Sequence, residues 1–302
     1  MNKRTLALLG AAFVALIYGA NYTIAKEVMP TFIKPFGFIL IRAIGGTILF
    51  WCLTFFGPKE KIALKDFPTI IAAAFFGVAI NQLAFFKGLS LTSPISASVI
   101  MITAPILVLI LSSILIKDRI QLKKVIGILT GLAGTSILIL YGKDVSNSPN
   151  GGMGNFLIFI NASSYAVYLI IIKNLIAKYH AFTFIKWIYT FGLLMVIPFG
   201  YNELIEINWQ TMPNSIFYSV GFVVLFTTFF AYLINLLAMK ELKPTTVAVF
   251  IYMQPFFASI IAISLQKDQL DKVKVISALL IFIGVYLVTH KKRIKNTTKP
   301  TL

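Results

Sequence analysis

The chain has 302 residues, 58% of them hydrophobic and only 12% charged, with a mean hydropathy of +0.88. Soluble domains carry about 25% charged residues, so the composition excludes an ordinary water-soluble fold and points to an integral membrane protein. The 27 basic residues outnumber the 10 acidic ones for a net charge of +17, but they fall between apolar stretches and at the chain ends. That distribution orients a multi-pass protein and argues against nucleic acid as a partner.

Ten stretches are long and apolar enough to cross a bilayer as helices, near 5–26, 34–56, 67–87, 94–116, 123–141, 153–173, 182–200, 214–239, 245–265 and 274–290. Lys3-Arg4 before the first run would suit a cleaved leader, but no small-x-small site follows, so an uncleaved first helix is expected. Runs such as Ile106 to Leu111 lack the alternation of a barrel strand. Asp66 and Pro68 fit the start of the third helix as a capping carboxylate and a first-turn proline, and Ser93-Pro94 fits the start of the fourth. Gly142 to Gly152, with Asp144, Asn147, Pro149 and Asn150, reads as a loop near the midpoint. With both termini in the cytoplasm, 18 basic residues fall on the inner face and 7 on the outer. This is the asymmetry expected of a protein of the bacterial-type cytoplasmic membrane with both ends inside.

The two halves resemble each other. Thr92-Ser93-Pro94, Pro105, Lys117-Asp118 and Gly134 recur 150 residues later as Leu242-Lys243-Pro244, Pro255, Lys267-Asp268 and Gly284. Upstream the offset is nearer 147, matching Tyr18 with Tyr165, Lys26 with Lys173 and Gly45 with Gly192. Five helices per half is an odd number, so the second half must insert upside down. The expected organisation is an all-α membrane protein of two inverted five-helix repeats, 1–142 and 153–290. A loop at 143–152 joins them, and a basic cytoplasmic tail follows at 291–302. Pro105 and Pro255, about eleven residues into helices four and nine, are expected either as tolerated kinks or as hinges beside a central cavity.

These features resemble the EamA branch of the drug/metabolite transporter superfamily. Tyr18-Gly19-Ala20-Asn21, followed by Lys26, is similar to a W-G-x-N motif, with Tyr18 in place of Trp. Arg42 matches an arginine frequent in the second helix. Phe86 to Ser93 loosely matches A-L-x-Y-T-x-A. Pro105, Asp118 and Gly127, and Pro255, Asp268 and Gly284, match a proline, an acidic residue and a glycine-bearing helix, with Asp where Glu is usual. The resemblance covers the whole chain. It implies ten helices in two inverted repeats and transport of small metabolites, with a solute held between the repeats against helices three, four, eight and nine.

All ten acidic residues lie near helix ends or in loops, which disfavours both a proton antiporter built on a buried carboxylate and a large cationic drug as principal substrate. Arg42 is the one charge well inside a span; it either pairs with Glu27 or clamps a substrate carboxylate. Asn81, Gln82 and Phe85 on helix three, Tyr165 and Tyr168 on helix six, Tyr232 and Asn235 on helix eight, and Tyr252 and Gln254 on helix nine are the candidate walls of a cavity. Asn21 of the first-helix motif joins them. Each alone also fits interhelical hydrogen bonding. Gly127-x-x-x-Gly131, continued by Gly134, permits a close helix crossing, within the chain of a monomer or across a homodimer.

One cysteine and two histidines give no metal site, and neither a phosphate loop nor a hydrolase motif is present. The sequence therefore predicts a secondary carrier in the lipid bilayer, an exporter of small metabolites such as amino acids, with no cofactor and no enzymatic activity. A partner subunit without transport is the alternative.

Overall fold

The computed structural model describes residues 2–141, 151–264 and 272–290. The expected loop residues Asp144, Asn147, Pro149 and Asn150, together with Lys267, Asp268 and the 291–302 tail, lie outside them. Among the described residues the chain is helical and contains no strand. The rods are α1 (Lys3–Val28), α2 (Pro35–Phe56), α3 (Leu64–Leu91), α4 (Ser96–Leu115), α5 (Leu122–Tyr141), α6 (Gly151–Lys178), α7 (Ala181–Ile205), α8 (Asn214–Glu241), α9 (Pro244–Ile261) and α10 (Lys272–Thr289). α1 to α4 and α6 to α10 meet the length and hydropathy that a membrane crossing requires. α5 is a 20-residue helix packed along α10. Gly151 and Gly152, expected in the loop, already belong to α6. Outward-facing Phe55, Phe56, Ile48 and Leu279 form part of a broad apolar surface, as lipid contact requires.

The packing is symmetric under exchange of the halves. α1 packs on α8 and α9, and α6 packs on α3 and α4; α2 meets α7, α5 meets α10, and α4 meets α9. The same exchange holds for single residues. The Lys26 ammonium donates to the carbonyls of Leu89, Ser90 and Thr92 at 2.8, 3.2 and 3.1 Å, capping the C-terminus of α3. Lys173 does the same for α8, donating to Met239 and Leu242 carbonyls at 2.7 and 3.3 Å. A helix C-terminus leaves carbonyls unsatisfied and carries partial negative charge, so a lysine there serves both needs.

The small-residue crossing is reciprocal too. A Cβ on Gly127 would sit 2.9 Å from the Gly284 carbonyl oxygen, and one on Gly134 would sit 2.8 Å from that of Ser277. The glycine motif is thus used within the chain, between α5 and α10.

The ends of α2 and α7 are tied crosswise. Glu203, late in α7, accepts from the Phe36 and Gly37 N–H groups at 2.7 and 2.9 Å at the start of α2. Glu60, beyond α2, accepts from the His180 N–H at 2.8 Å and the Thr183 hydroxyl at 2.7 Å at the start of α7. Carboxylates at helix N-termini satisfy orphan donors and meet the positive end of the macrodipole. Ser93 caps α4 as expected, accepting from the Ser96 N–H at 3.0 Å. Asp66 does not cap α3. Its carboxylate instead accepts from Lys178 at 2.6 Å and the Tyr179 hydroxyl at 2.8 Å, partners more than 100 residues away.

Candidate functional site

Four helices depart from regular α geometry, again in matched pairs. α3 contains a π-turn at Phe75–Ala79 and α8 one at Val223–Phe230. α4 breaks at residues 102–103, and α9 tightens into a 3₁₀ turn at Val249–Tyr252. Pro105 and Pro255 are therefore not mid-helix kinks. Each falls in the first turn of the helical segment that restarts after the break, where a missing N–H costs little. π-turns and mid-helix 3₁₀ stretches leave backbone groups less well paired and often mark functional positions.

These irregular segments surround a cavity of about 90 Å³ between the halves, enough for several waters. Asn21, Arg42, Asn81, Gln82, Phe85, Tyr165, Tyr232, Asn235 and Gln254 line it, alongside Tyr18, Tyr22, Phe86, Asn161, Thr227 and Phe250. Two of the expected wall residues are elsewhere. Tyr252 is fully buried on another side of α9, its ring against Gly131 of α5. Tyr168 lies behind the wall, its ring seated on Gly77 and 6.2 Å from the ring of Tyr232. Gly77 admits that ring only because it lacks a Cβ, which would fall 2.2 Å from a Tyr168 ring carbon.

The polar groups of the wall form three hydrogen-bonded sets. Asn81 and Asn161 exchange hydrogen bonds, each side-chain amide donating to the other's backbone carbonyl, at 3.2 and 2.8 Å. This joins α3 to α6 and fixes both amides. The Tyr232 hydroxyl donates to the Gly77 carbonyl at 2.7 Å and accepts from Gln82 Nε2 at 3.2 Å. Gln82 and Tyr232 are 150 residues apart, so they occupy equivalent places in the two halves and meet each other. The Tyr22 hydroxyl donates to Gln254 Oε1 at 3.3 Å, joining α1 to α9. Gly19 of the first-helix motif serves the same crossing: a Cβ there would lie 2.7 Å from the Gln254 backbone oxygen.

Not every wall group is satisfied. The side-chain oxygens of Asn21, Gln82, Asn161 and Thr227 are buried with no hydrogen-bond partner. A buried polar atom without a partner costs about 1–3 kcal/mol, and these four belong to residues that line the cavity. Arg42 is 3% exposed. Its Nε donates to Thr228 Oγ1 at 2.9 Å, and the guanidinium sits 4.5 Å from the Phe86 ring centre. The anticipated Arg42–Glu27 pair does not form; Glu27 is exposed. Neutral donors and acceptors, aromatic faces and a single cation suit reversible binding of a small organic solute. Among the described residues no cluster of His, Cys, Asp or Glu could hold a metal ion.

Two interleaved helical halves around a partly polar hollow, inside an apolar exterior, define a multi-pass membrane protein with an internal cavity. The EamA-like transporter family matches residues 5–140 and again 152–290, once per half. The chain belongs to that family, within the drug/metabolite transporter superfamily. An uncharacterized transporter of Archaeoglobus fulgidus is 25% identical over 288 residues, covering 95% of this chain and 97% of the relative. The uncharacterized transporter YetK of Bacillus subtilis is 23% identical, covering 97% and 89%. The WAT1-related protein At3g53210 of Arabidopsis thaliana is 21% identical, covering 92% and 84%. A solved crystal structure at 18% identity superposes with a TM-score of 0.74 over 94% of this chain and 96% of the other, which establishes the shared fold.

Proposed function

We propose that the protein is a secondary carrier that exports small organic solutes, amino acids or related amphipathic metabolites among them, by alternating access. The observation that carries this reading is the cavity between the halves, walled by groups from both and holding polar oxygens that the protein leaves unpartnered. The carrier has ten crossings, α5 being the fifth. It is a monomer in the bacterial-type cytoplasmic membrane with both termini inside, where the positive-inside rule places them. Repeats 1–142 and 153–290 rock against each other about the cavity. The broken helices ahead of Pro105 and Pro255 supply the flexing elements, since those turns have fewer backbone bonds to lose.

The test is thermal stabilisation of the purified chain by a panel of small metabolites, followed by counterflow in proteoliposomes for any that bind. Asn235 lines the cavity without a side-chain hydrogen bond, so Asn235→Phe blocks the hollow with little loss of bonding. Stabilisation of the wild type that Asn235→Phe abolishes and Tyr252→Phe leaves intact supports the reading. Stabilisation indifferent to Asn235→Phe, or none with any solute, overturns it and leaves a partner subunit as the better description.

A further inference from the structure

We infer that the cavity anchors its solute by a carboxylate, with the Arg42 guanidinium as the specificity-determining group; this rests on the carrier reading above. Among the described residues Arg42 carries the only formal charge on the cavity wall, and it is almost wholly buried. Its protein contacts are neutral. Thr228 gives its own proton to the Val223 carbonyl at 3.0 Å and so accepts from Arg42 Nε, while Phe86 offers only a ring face. Among the described residues no carboxylate pairs with it: the ion pairs present use Asp66, Asp118 and Glu206. A buried charge without a counter-charge is strongly unfavourable, and its terminal nitrogens form the fork that fits a carboxylate.

The fold itself does not call for this cation. With the 147-residue offset that matches Gly45 to Gly192, the counterpart of Arg42 is Tyr189, which is fully buried. The same place in the same scaffold is thus filled by a neutral ring in one half and a guanidinium in the other. A carboxylate bound to Arg42 would make the cavity neutral. A cationic solute would meet an uncompensated like charge, so the residue selects against amines as well as for acids.

The experiment uses the full chain in detergent and paired probes that differ only at the acid: L-phenylalanine with L-phenylalaninamide, L-leucine with L-leucinamide, and phenylacetate with phenylacetamide. In the wild type at least one acid is expected to bind at least tenfold more tightly than its amide, read from concentration-dependent Tm shifts. Arg42→Gln should bring that ratio to within twofold, and Arg42→Lys, which keeps the charge but loses the fork, should fall between. If Arg42→Gln does not fold, phenylglyoxal labelling of wild-type Arg42, read by peptide mass, reports the same contact. The acid should slow labelling severalfold and the amide should not. Equal binding of acid and amide, or a preference that survives Arg42→Gln, overturns the inference, as do equal labelling rates. Amides that stabilise the wild type as strongly as their acids, but do not stabilise Asn235→Phe, would sink the carboxylate anchor alone, whereas no stabilisation by any probe would sink it together with the carrier.

Discussion

The two halves share their backbone devices and differ in the side chains that meet at the centre. Each half has a π-turn in its third helix, a break in its fourth, a lysine from its first helix capping its third, and a fifth helix that crosses its counterpart at glycine. At the cavity the symmetry lapses: Arg42 faces the role of Tyr189, Gln82 that of Tyr232, and Phe85 that of Asn235. Features held in common are those any solute would need, because they set how the halves pack and bend. Several of the departures lie on the cavity wall, where a solute would be recognised.

The α5–α10 crossing offers the hardest test of that division. A Cβ on Gly284 would lie 2.6 Å from both the Gly127 oxygen and the Gly131 nitrogen, backbone atoms that cannot step aside. Gly284→Ala should destabilise the protein by about 3 kcal/mol, at the upper end for overpacking, and Gly134→Ala, its partner in the reciprocal contact, should cost a similar amount. Gly221→Ala, with nothing within 4 Å of the added carbon, should be neutral or gain up to about 1 kcal/mol of helix propensity. Thermal unfolding in one detergent compares all three. A mild Gly284→Ala beside a damaging Gly134→Ala would break the symmetry argument at its strongest point.

The lysine caps come next. Losing charge-assisted hydrogen bonds to buried carbonyls should cost roughly 1.5–3 kcal/mol in Lys26→Met and in Lys173→Met alike, with Lys26 the costlier because it serves three carbonyls. Loss of stability in one and not the other would show that only one half is held closed by its cap. Smaller still is the contrast between two buried tyrosines. Tyr232→Phe removes the bond to Gly77 and strands Gln82 Nε2, a cost of about 1–2 kcal/mol. Tyr252→Phe deletes a hydroxyl that has no partner and should change stability by less than about 0.5 kcal/mol.

Hydropathy located the rods well: 34–56 was expected where α2 runs Pro35–Phe56, and 123–141 where α5 runs Leu122–Tyr141. It stopped short wherever a lysine folds back onto carbonyls. α6 continues past Lys173 to Lys178, because that ammonium caps α8 rather than ending its own helix. Asp66 looked like a cap because its true partners, Lys178 and Tyr179, are brought to it only by the fold. The cavity was legible as a set of amides and aromatics on the right helices, but the face assignment failed at Tyr252. Tyr252 and Gln254 are two positions apart, about 200° around a regular helix, so one face could not present both, and Gln254 is the one that lines the cavity. Thr227 sits in the π-turn of α8, whose changed rotation per residue hides it from a regular spacing although it lines the cavity.

A pH-dependent change probes the end of the bundle where symmetry lapses away from the cavity. Asp118, just beyond α4, pairs with Lys243 at 2.5 Å and Lys124 at 3.2 Å, tying the first half to the turn between α8 and α9. The counterpart of Lys243 is Ser93, 150 residues earlier, so the equivalent turn lacks this cation. Burial opposes the charge on Asp118, but Lys243 and Lys124 outweigh it and hold the carboxyl below its ordinary value of 3.8. Because the folded state binds that proton less readily than the unfolded chain, the stabilisation is complete above about pH 4 and fades as pH falls through the lowered folded value. Asp118→Asn should therefore lose about 1 kcal/mol at pH 7, as partly exposed ion pairs do, and the gap from wild type should close below pH 4. Unfolding curves collected from pH 7 down to pH 3 check this. Parallel curves for the two proteins would mean that the pairs contribute nothing to the stability of this turn.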